Sequence, residues 1–378
     1  MPASLFGLTG SNKYNRQRYF LSYKYGTAYA TSDVSIGLIS EPKIVFNMYC
    51  KPYFPLELIL LVLEASLPPG GPGRVFNPSC PDGQLLVNWT QVCRATYLPA
   101  TRLLRKHFVY INSITRLRKL LQCMADSDSS KQAGTRSILP PTISLSSISS
   151  IYLGLDRGDM ESPEVPSLVG DLLTHLGQSL RRLILDLPWG RTPPNDMVNM
   201  HLHHMFSESF TALTGIEELI AVGGLPAVDR WSHVHHLCQQ WSNLRRLAAF
   251  QVNLAEQGLW HNISRSHSLE QLVIAQPFLL RLNTWNIKAS IQEHWDPEFG
   301  GNSSCARPLS ITIANHEFSP PIIDTTDDDL HDPQGLINVS SFDVPITDTT
   351  KARVDYICRD WLLQEAKQDT LWGNAGAQ

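Results

Sequence analysis

The sequence predicts a mixed α and β chain: a helical module, then an irregular array of alternating strands and helices, then an acidic loop region and a closing helix. Three observations carry this reading. Between residues 50 and 124 apolar residues recur at helical spacing. Between 142 and 314 a tighter spacing, with apolar residues at i, i+3 and i+5, occurs six times. Segments of helical periodicity fall between those copies. A chain of 378 residues with 43% hydrophobic and 17% charged content has material for a substantial core and for more than one module.

Residues 1–49 come first. Up to residue 32 they carry Lys13, Arg16, Arg18 and Lys24 without an acidic residue, as transit peptides do, but Pro2, Gly7 and Gly10 interrupt any amphipathic helix. A disordered extension is expected there. Pro55 then suits the entry of a helix and Glu57 its first turn, and Leu58, Leu61, Val62 and Leu63 give that helix a wide apolar face. The Pro/Gly-rich stretch 67–84 reads as a loop. Helix resumes from Leu85 to Ala100 with Leu86, Trp89, Val92, Cys93 and Tyr97 at helical spacing, and again from Ser113 with Ile114, Leu117, Leu121 and Met124. Residues 125–141 are small, polar and end in two prolines, which predicts a linker between modules 50–124 and 142–314.

The six copies are Ile148/Ile151/Leu153, Leu180/Leu183/Leu185, Ile216/Leu219/Ala221, Leu244/Leu247/Ala249, Leu269/Leu272/Ile274 and Ala306/Leu309/Ile311. Each lays down a short strand whose alternate residues point inward, so Leu183, Leu247 and Leu272, which share one position, are expected to be buried. The residues between them, Arg182 and Ile184, Glu218 and Ile220, Arg246 and Ala248, Gln271 and Val273, fall on the opposite strand face. That face is either a recognition surface, with Arg182, Glu218, Arg246 and Gln271 meeting a protein substrate, or a structural face covered by the segment around 338–346. Helical segments between copies run over Leu168–Leu176, stopped by Gly177, over Met197–Phe206 and over Trp231–Trp241. Residues 315–350, rich in Pro, Asp and Thr with an acidic knot from Asp324 to Asp332, read as surface loop. Residues 351–370 show the stripe Val354, Ile357, Cys358, Trp361, Leu362 of an amphipathic helix, expected to cap the array.

Charge and chemistry narrow the function. A net charge of −4 supplies no basic field for nucleic acid or anionic membrane, and no apolar run reaches the roughly 18 residues a membrane span needs. Seven cysteines scattered singly argue against a disulfide framework and for a reducing compartment, cytoplasmic or nuclear. His201, His203 and His204, and His233, His235 and His236 with Cys238, would place imidazoles in pairs on helix faces, the basis of a remote metalloenzyme reading. No fixed metalloenzyme, phosphate-loop or nucleophile-elbow motif accompanies them, so no cofactor, no metal and no catalytic residue is assigned. Seven basic residues and no acid lie between Gly83 and Ala125, which reads as a solvated or acid-pairing face or, functionally, as one for an acidic protein partner.

Phe54-Pro55-Leu56-Glu57-Leu58-Ile59, Val62-Leu63, Leu86, and Val92-Cys93-Arg94-Ala95-Thr96-Tyr97 together resemble the F-box, with Phe54 where that family has Leu and Tyr97 where it has Trp. The strand copies resemble leucine-rich repeats. Residues 50–370 as a whole are similar to F-box-like proteins of filamentous fungi. The resemblance implies that the helical module docks on a Skp-family adaptor of a cullin-RING ubiquitin ligase, through Pro55, Leu58, Leu61, Val62 and Val92, while the array receives a protein substrate. A stand-alone repeat scaffold without a ligase role is the alternative reading.

Overall fold

The structure, a computed structural model, describes residues 55–67, 74–132, 148–160, 162–188, 209–224, 241–279, 284–295, 305–316, 323–326, 328–346 and 353–374. The expected N-terminal extension, both histidine groups and the Met197–Phe206 helix lie outside them, as does the Trp231–Trp241 segment apart from Trp241 itself.

The chain is a mixed α and β structure built on one eight-stranded sheet. In chain order the described elements are α1 (Leu56–Ala65), α2 (Pro81–Val92), α3 (Arg94–His107), β1 (Tyr110–Ile111), α4 (Ile114–Gln132), β2 (Ser150–Leu153), α5 (Arg157–Met160), α6 (Val165–Leu176), β3 (Arg182–Leu185), β4 (Glu218–Ala221) and β5 (Arg246–Phe250). Then follow α7 (Gln257–Arg265), β6 (Gln271–Ala275), α8 (Ile287–Trp295), β7 (Leu309–Asn315), α9 (Asp328–His331), β8 (Ile337–Asp343), α10 (Val354–Gln368) and α11 (Leu371–Asn374). The strands lie side by side in sequence order, all parallel. A parallel neighbour requires a return crossover, and among the described residues α6, α7 and α8 run in those from β2 to β3, β5 to β6 and β6 to β7.

All six spacing-derived copies contribute a strand; the register aligns the first five and corrects the sixth by two residues, since Leu272 pairs with Ile311 and not with Leu309. Ile151, Leu183, Leu219, Leu247, Leu272 and Ile311 stand in one row across β2–β7, none more than 1% exposed. The row packs on the helix side of the sheet, in a core that includes Leu172 and Leu176 of α6, Trp260 of α7 and Ile291 of α8. Three buried tryptophans pin the layer: Trp241, Trp260 and Trp295 donate their indole N–H to the carbonyls of Phe210 (2.8 Å), Leu254 (2.7 Å) and Ser264 (3.0 Å). Burial of so polar a ring edge is tolerated because each N–H has a partner.

Several expectations need correction. The helix expected from Leu85 begins at Pro81, whose missing N–H costs nothing at a first helical position, with the Cys80 thiol accepting from Gly83 N–H. It breaks at Cys93, whose extended backbone (φ −161°, ψ 169°) separates α2 from α3, and Thr96 bridges the break by donating to the Trp89 carbonyl at 2.8 Å. The sheet starts before the expected linker: β1 pairs with β2, and α4 runs through Gln132 into the stretch assigned to the linker. The expected surface loop of 315–350 holds β8, paired along its length with β7; buried Asp332 supports its start by accepting from Leu336 and Ile337 N–H at 2.9 and 2.8 Å. Gly177 closes α6 in right-handed conformation (φ −53°), and what demands glycine there is proximity, since a Cβ would sit 2.0 Å from the Ala212 carbonyl.

The last correction is the largest. The amphipathic helix α10 forms as its stripe predicts, but it lies across the strand face opposite the crossover helices instead of over the end of the array. Cys358, Leu362, Ala366 and Leu371 are fully buried against Ile184, Ile220, Ala248 and Val273. The reason is in the strands: β2–β4 are buried at every position, as parallel strands with two covered faces are.

Candidate partner-binding site

The helical module has a small core of its own, in which Leu63 of α1, Leu86 of α2, Ala100 of α3 and Phe108 meet. Four such residues leave much of α1 and α2 unburied. Spaced three and four apart, Leu58, Leu61 and Val62 share the outer face of α1, at 44, 59 and 45% exposure. Along α2, Leu85, Val87 and Val92 are likewise outside, Val92 at 63%. Pro55 is exposed at the mouth of α1, where it occupies the cap (φ −55°, ψ 139°) one residue before the first helical position assigned to it. Thus the five residues singled out for adaptor contact all face solvent, while Leu63 and Leu86, in the same sequence runs, are 0% exposed. Six of the nine large hydrophobic residues exposed among the described residues belong to α1 and α2. Isolated exposed apolar residues are ordinary; here they are concentrated on two short helices.

The second candidate surface fares differently. Arg182, Glu218, Arg246 and Gln271 do stand side by side, in one row across β3–β6. Half of it is closed over, not by 338–346 as expected, since Ile337–Asp343 forms edge strand β8, but by the segment 353–374. Arg182 is 4% exposed: its Nη1 donates to Asp369 Oδ1 and its Nη2 to the Ala366 carbonyl, each at 2.6 Å, and its Nε lies 3.0 Å from Glu218 Oε1. Glu218 is 8% exposed; burial raises its pKa above the usual carboxylate range, with Arg182, Trp372 and Arg246 working against that shift. Arg246 keeps a half-exposed guanidinium, 3.9 Å from Glu218 and over the Trp372 ring at 5.8 Å, and Gln271 is partly exposed. Of the expected substrate face, only Arg246 and Gln271 remain open to contact.

Two further anchors fasten α10. Asp186, at the end of β3, accepts from Tyr152 Oη at 2.9 Å and pairs with Arg359 at 2.5 Å. Lys367 sits over the stacked rings of Tyr110 and Tyr152, 5.1 and 4.5 Å from their centroids, and bonds the Tyr110 hydroxyl at 3.2 Å. Sequence reasoning did not find these contacts. The signal available was the apolar character of Ile184, Ile220 and Val273, which makes both strand faces apolar.

Among the described residues reactive chemistry is sparse. Burial pushes the Cys358 thiol up to about 11, leaving it protonated and inert at neutral pH. Among the described residues no three His, Cys, Asp or Glu side chains are placed to hold a metal ion, and no helix is long and apolar enough to cross a membrane. No family model, curated protein or solved structure matches the chain.

Proposed function

We propose that the chain is an F-box-like substrate-receptor adaptor: α1 and α2 dock on a Skp-family adaptor of a cullin-RING ligase, and the leucine-rich-repeat-like array presents a protein substrate. One observation carries this reading. The residues that the F-box resemblance assigns to the adaptor are on the outside of a module whose core is closed by Leu63, Leu86, Ala100 and Phe108. Burying each of Leu58, Leu61, Val62 and Val92 against a partner is worth up to roughly 1.5–3 kcal/mol, enough together to drive a specific complex. The array acts as a protein-binding platform, not as an enzyme. With Arg182 and Glu218 engaged by the C-terminal segment, its substrate contacts fall to the sheet's rims, including Arg246 and Gln271.

Co-expression with a Skp-family adaptor tests the reading. The wild-type chain is expected to co-purify with the adaptor, and the double variant Leu61→Asp, Val62→Asp to lose it at unchanged melting temperature, because both positions are solvent-exposed. Absence of the adaptor from the folded wild-type chain would reject the ligase role in favour of the stand-alone scaffold, for which the same outer faces would meet another protein.

A further inference from the structure

The two ends of the sheet are finished differently. At one end β1 is two residues long, and the guanidinium of Arg116 reaches its Tyr110 carbonyl at 3.4 Å. At the other end β8 runs for seven residues, Ile337–Asp343, each in register with β7. Open edges are ordinarily guarded by brevity, lysine, proline or a bulge. β8 has none of these: its sequence is Ile-Asn-Val-Ser-Ser-Phe-Asp and its pairing is uninterrupted. A terminal repeat needs a cover, and α10, the element expected to provide one, lies across the strand face instead.

The pairing also fixes which backbone groups point away. Leu309 N–H bonds the Leu336 carbonyl at 2.9 Å, and Val344 N–H bonds the Asn315 carbonyl at 2.8 Å. With Leu309 opposite Ile337 and Asn315 opposite Asp343, that phase turns the backbone of Asn338, Ser340 and Phe342 towards β7 and that of Ile337, Val339, Ser341 and Asp343 outwards. Ile337 N–H is accordingly taken outside the sheet, by Asp332 Oδ2 at 2.8 Å. The outward groups of Val339, Ser341 and Asp343 bond to no other strand among the described residues. Phe342, stacked on Trp361 at 5.1 Å, holds the strand in place. Exposed apolar side chains flank the edge: Leu330, 76% exposed, in α9 before it and Ile346, 45% exposed, after it.

We propose that β8 is a self-association edge, on which β8 of a second copy of the chain pairs antiparallel about a two-fold axis at Ser340. What covers an open strand edge is another strand, and this strand complements itself. In that register Val339 and Ser341 exchange backbone hydrogen bonds across the axis, and Asp343 N–H of each copy reaches the Ile337 carbonyl of the other. The one charge on the strand, Asp343, faces Ile337 and not its own counterpart, so like charges are not opposed. Antiparallel pairing sets the start of one β8 beside the end of the other, which brings Leu330 of each copy towards Ile346 of the second. The surface is separate from α1 and α2, and its use requires no ligase role.

Sedimentation velocity on the full chain over a concentration series reads the dimer, and wild type is expected to dimerise reversibly. Ser341→Pro removes an outward N–H that β7 does not use, so the fold is kept, as an unchanged melting temperature verifies. It is expected to weaken the dimer about tenfold, since both copies lose the bond and the ring intrudes on the edge. Ser340→Lys and Ser340→Glu each set like charges opposite one another across the axis. Each alone is expected to be monomeric and an equimolar mixture of the two to dimerise, a rescue that follows only if this residue meets itself. Leu61→Asp, Val62→Asp is expected to dimerise as wild type does. A wild-type chain that stays monomeric throughout the series would overturn the proposal and leave the edge to an extended segment of another protein. It is equally overturned by a dimer undiminished in the single Ser340 variants, by a mixture without rescue, or by a dimer lost in Leu61→Asp, Val62→Asp and kept in Ser341→Pro.

Discussion

Arg182 and Glu218 occupy adjacent strands, in a row that strand pairing brings into direct contact, and both are drawn out of water when the C-terminal segment folds over them. A buried ion pair adds little net stability, but deleting one member leaves a charge stranded. Arg182→Ala removes the partner of Asp369 and of Glu218 together, so it is expected to cost about 3–5 kcal/mol in urea unfolding. Glu218 also carries a pH signature. Its folded pKa is raised above the unfolded value by burial. Between those two values the folded state binds the proton that the unfolded state has released, so stability falls as pH rises through the window, starting from the ordinary glutamate value near 4.5. Glu218→Gln abolishes that term. The variant is therefore expected to gain on wild type as pH is raised from 4 towards 7, read from unfolding midpoints at each pH, and parallel curves would show that the glutamate titrates normally.

At the scale of elements, the strands were legible because one constraint dominates each of them. A residue at the position of Leu183, Leu247 or Leu272 meets helices on one side and identical neighbours on the other, and only an aliphatic side chain satisfies both; the three are at most 1% exposed. Each Leu→Ala change is expected to cost about 2–5 kcal/mol, measured by chemical denaturation, since the packed row leaves little room to collapse into the cavity. β1 was not legible, because two residues, Tyr110 and Ile111, carry no periodicity. β8 was hidden by its composition: Asn338, Ser340 and Ser341 read as loop, and edge position lets polar residues stay partly exposed there. Which apolar residues of α1 and α2 face outward was not legible from spacing, since Leu63 and Leu86 stand in the same helical runs as Leu58 and Val92 yet are fully buried. The anchors of α10 were not legible either, because pairs such as Asp186 and Arg359, 173 positions apart, are united only by where that helix docks.

For the whole molecule, α10 and α11 act as a strap instead of an end cap. Arg74 donates to the Gln368 carbonyl at 2.8 Å and Val75 joins the same core, which ties the stretch just before α2 to the C-terminal segment. Lys367 meets Tyr110 of β1, Arg359 meets Asp186 after β3, and Trp361 stacks on Phe342 of β8 at 5.1 Å, so a single helix touches both ends of the sheet. Repeat arrays are otherwise held by nearest-neighbour contacts and lose stability piecemeal. Here a long-range clasp is added to those contacts, and the helical module shares it, so the two modules expected to be separate are coupled through β1, α4 and the strap. Truncation before Arg353 tests this directly. It uncovers Ile184, Ile220, Ala248 and Val273, all at most 1% exposed in the intact chain, and strips Arg182 of its Asp369 partner. The truncated chain is expected to melt at lower temperature, to unfold in more than one transition, and to bind a hydrophobic dye; a peptide spanning 353–374 added in trans should restore part of the loss. A truncated chain that melts as the intact one does, in one transition and without dye binding, would mean that the nearest-neighbour contacts suffice and that the strap contributes no coupling.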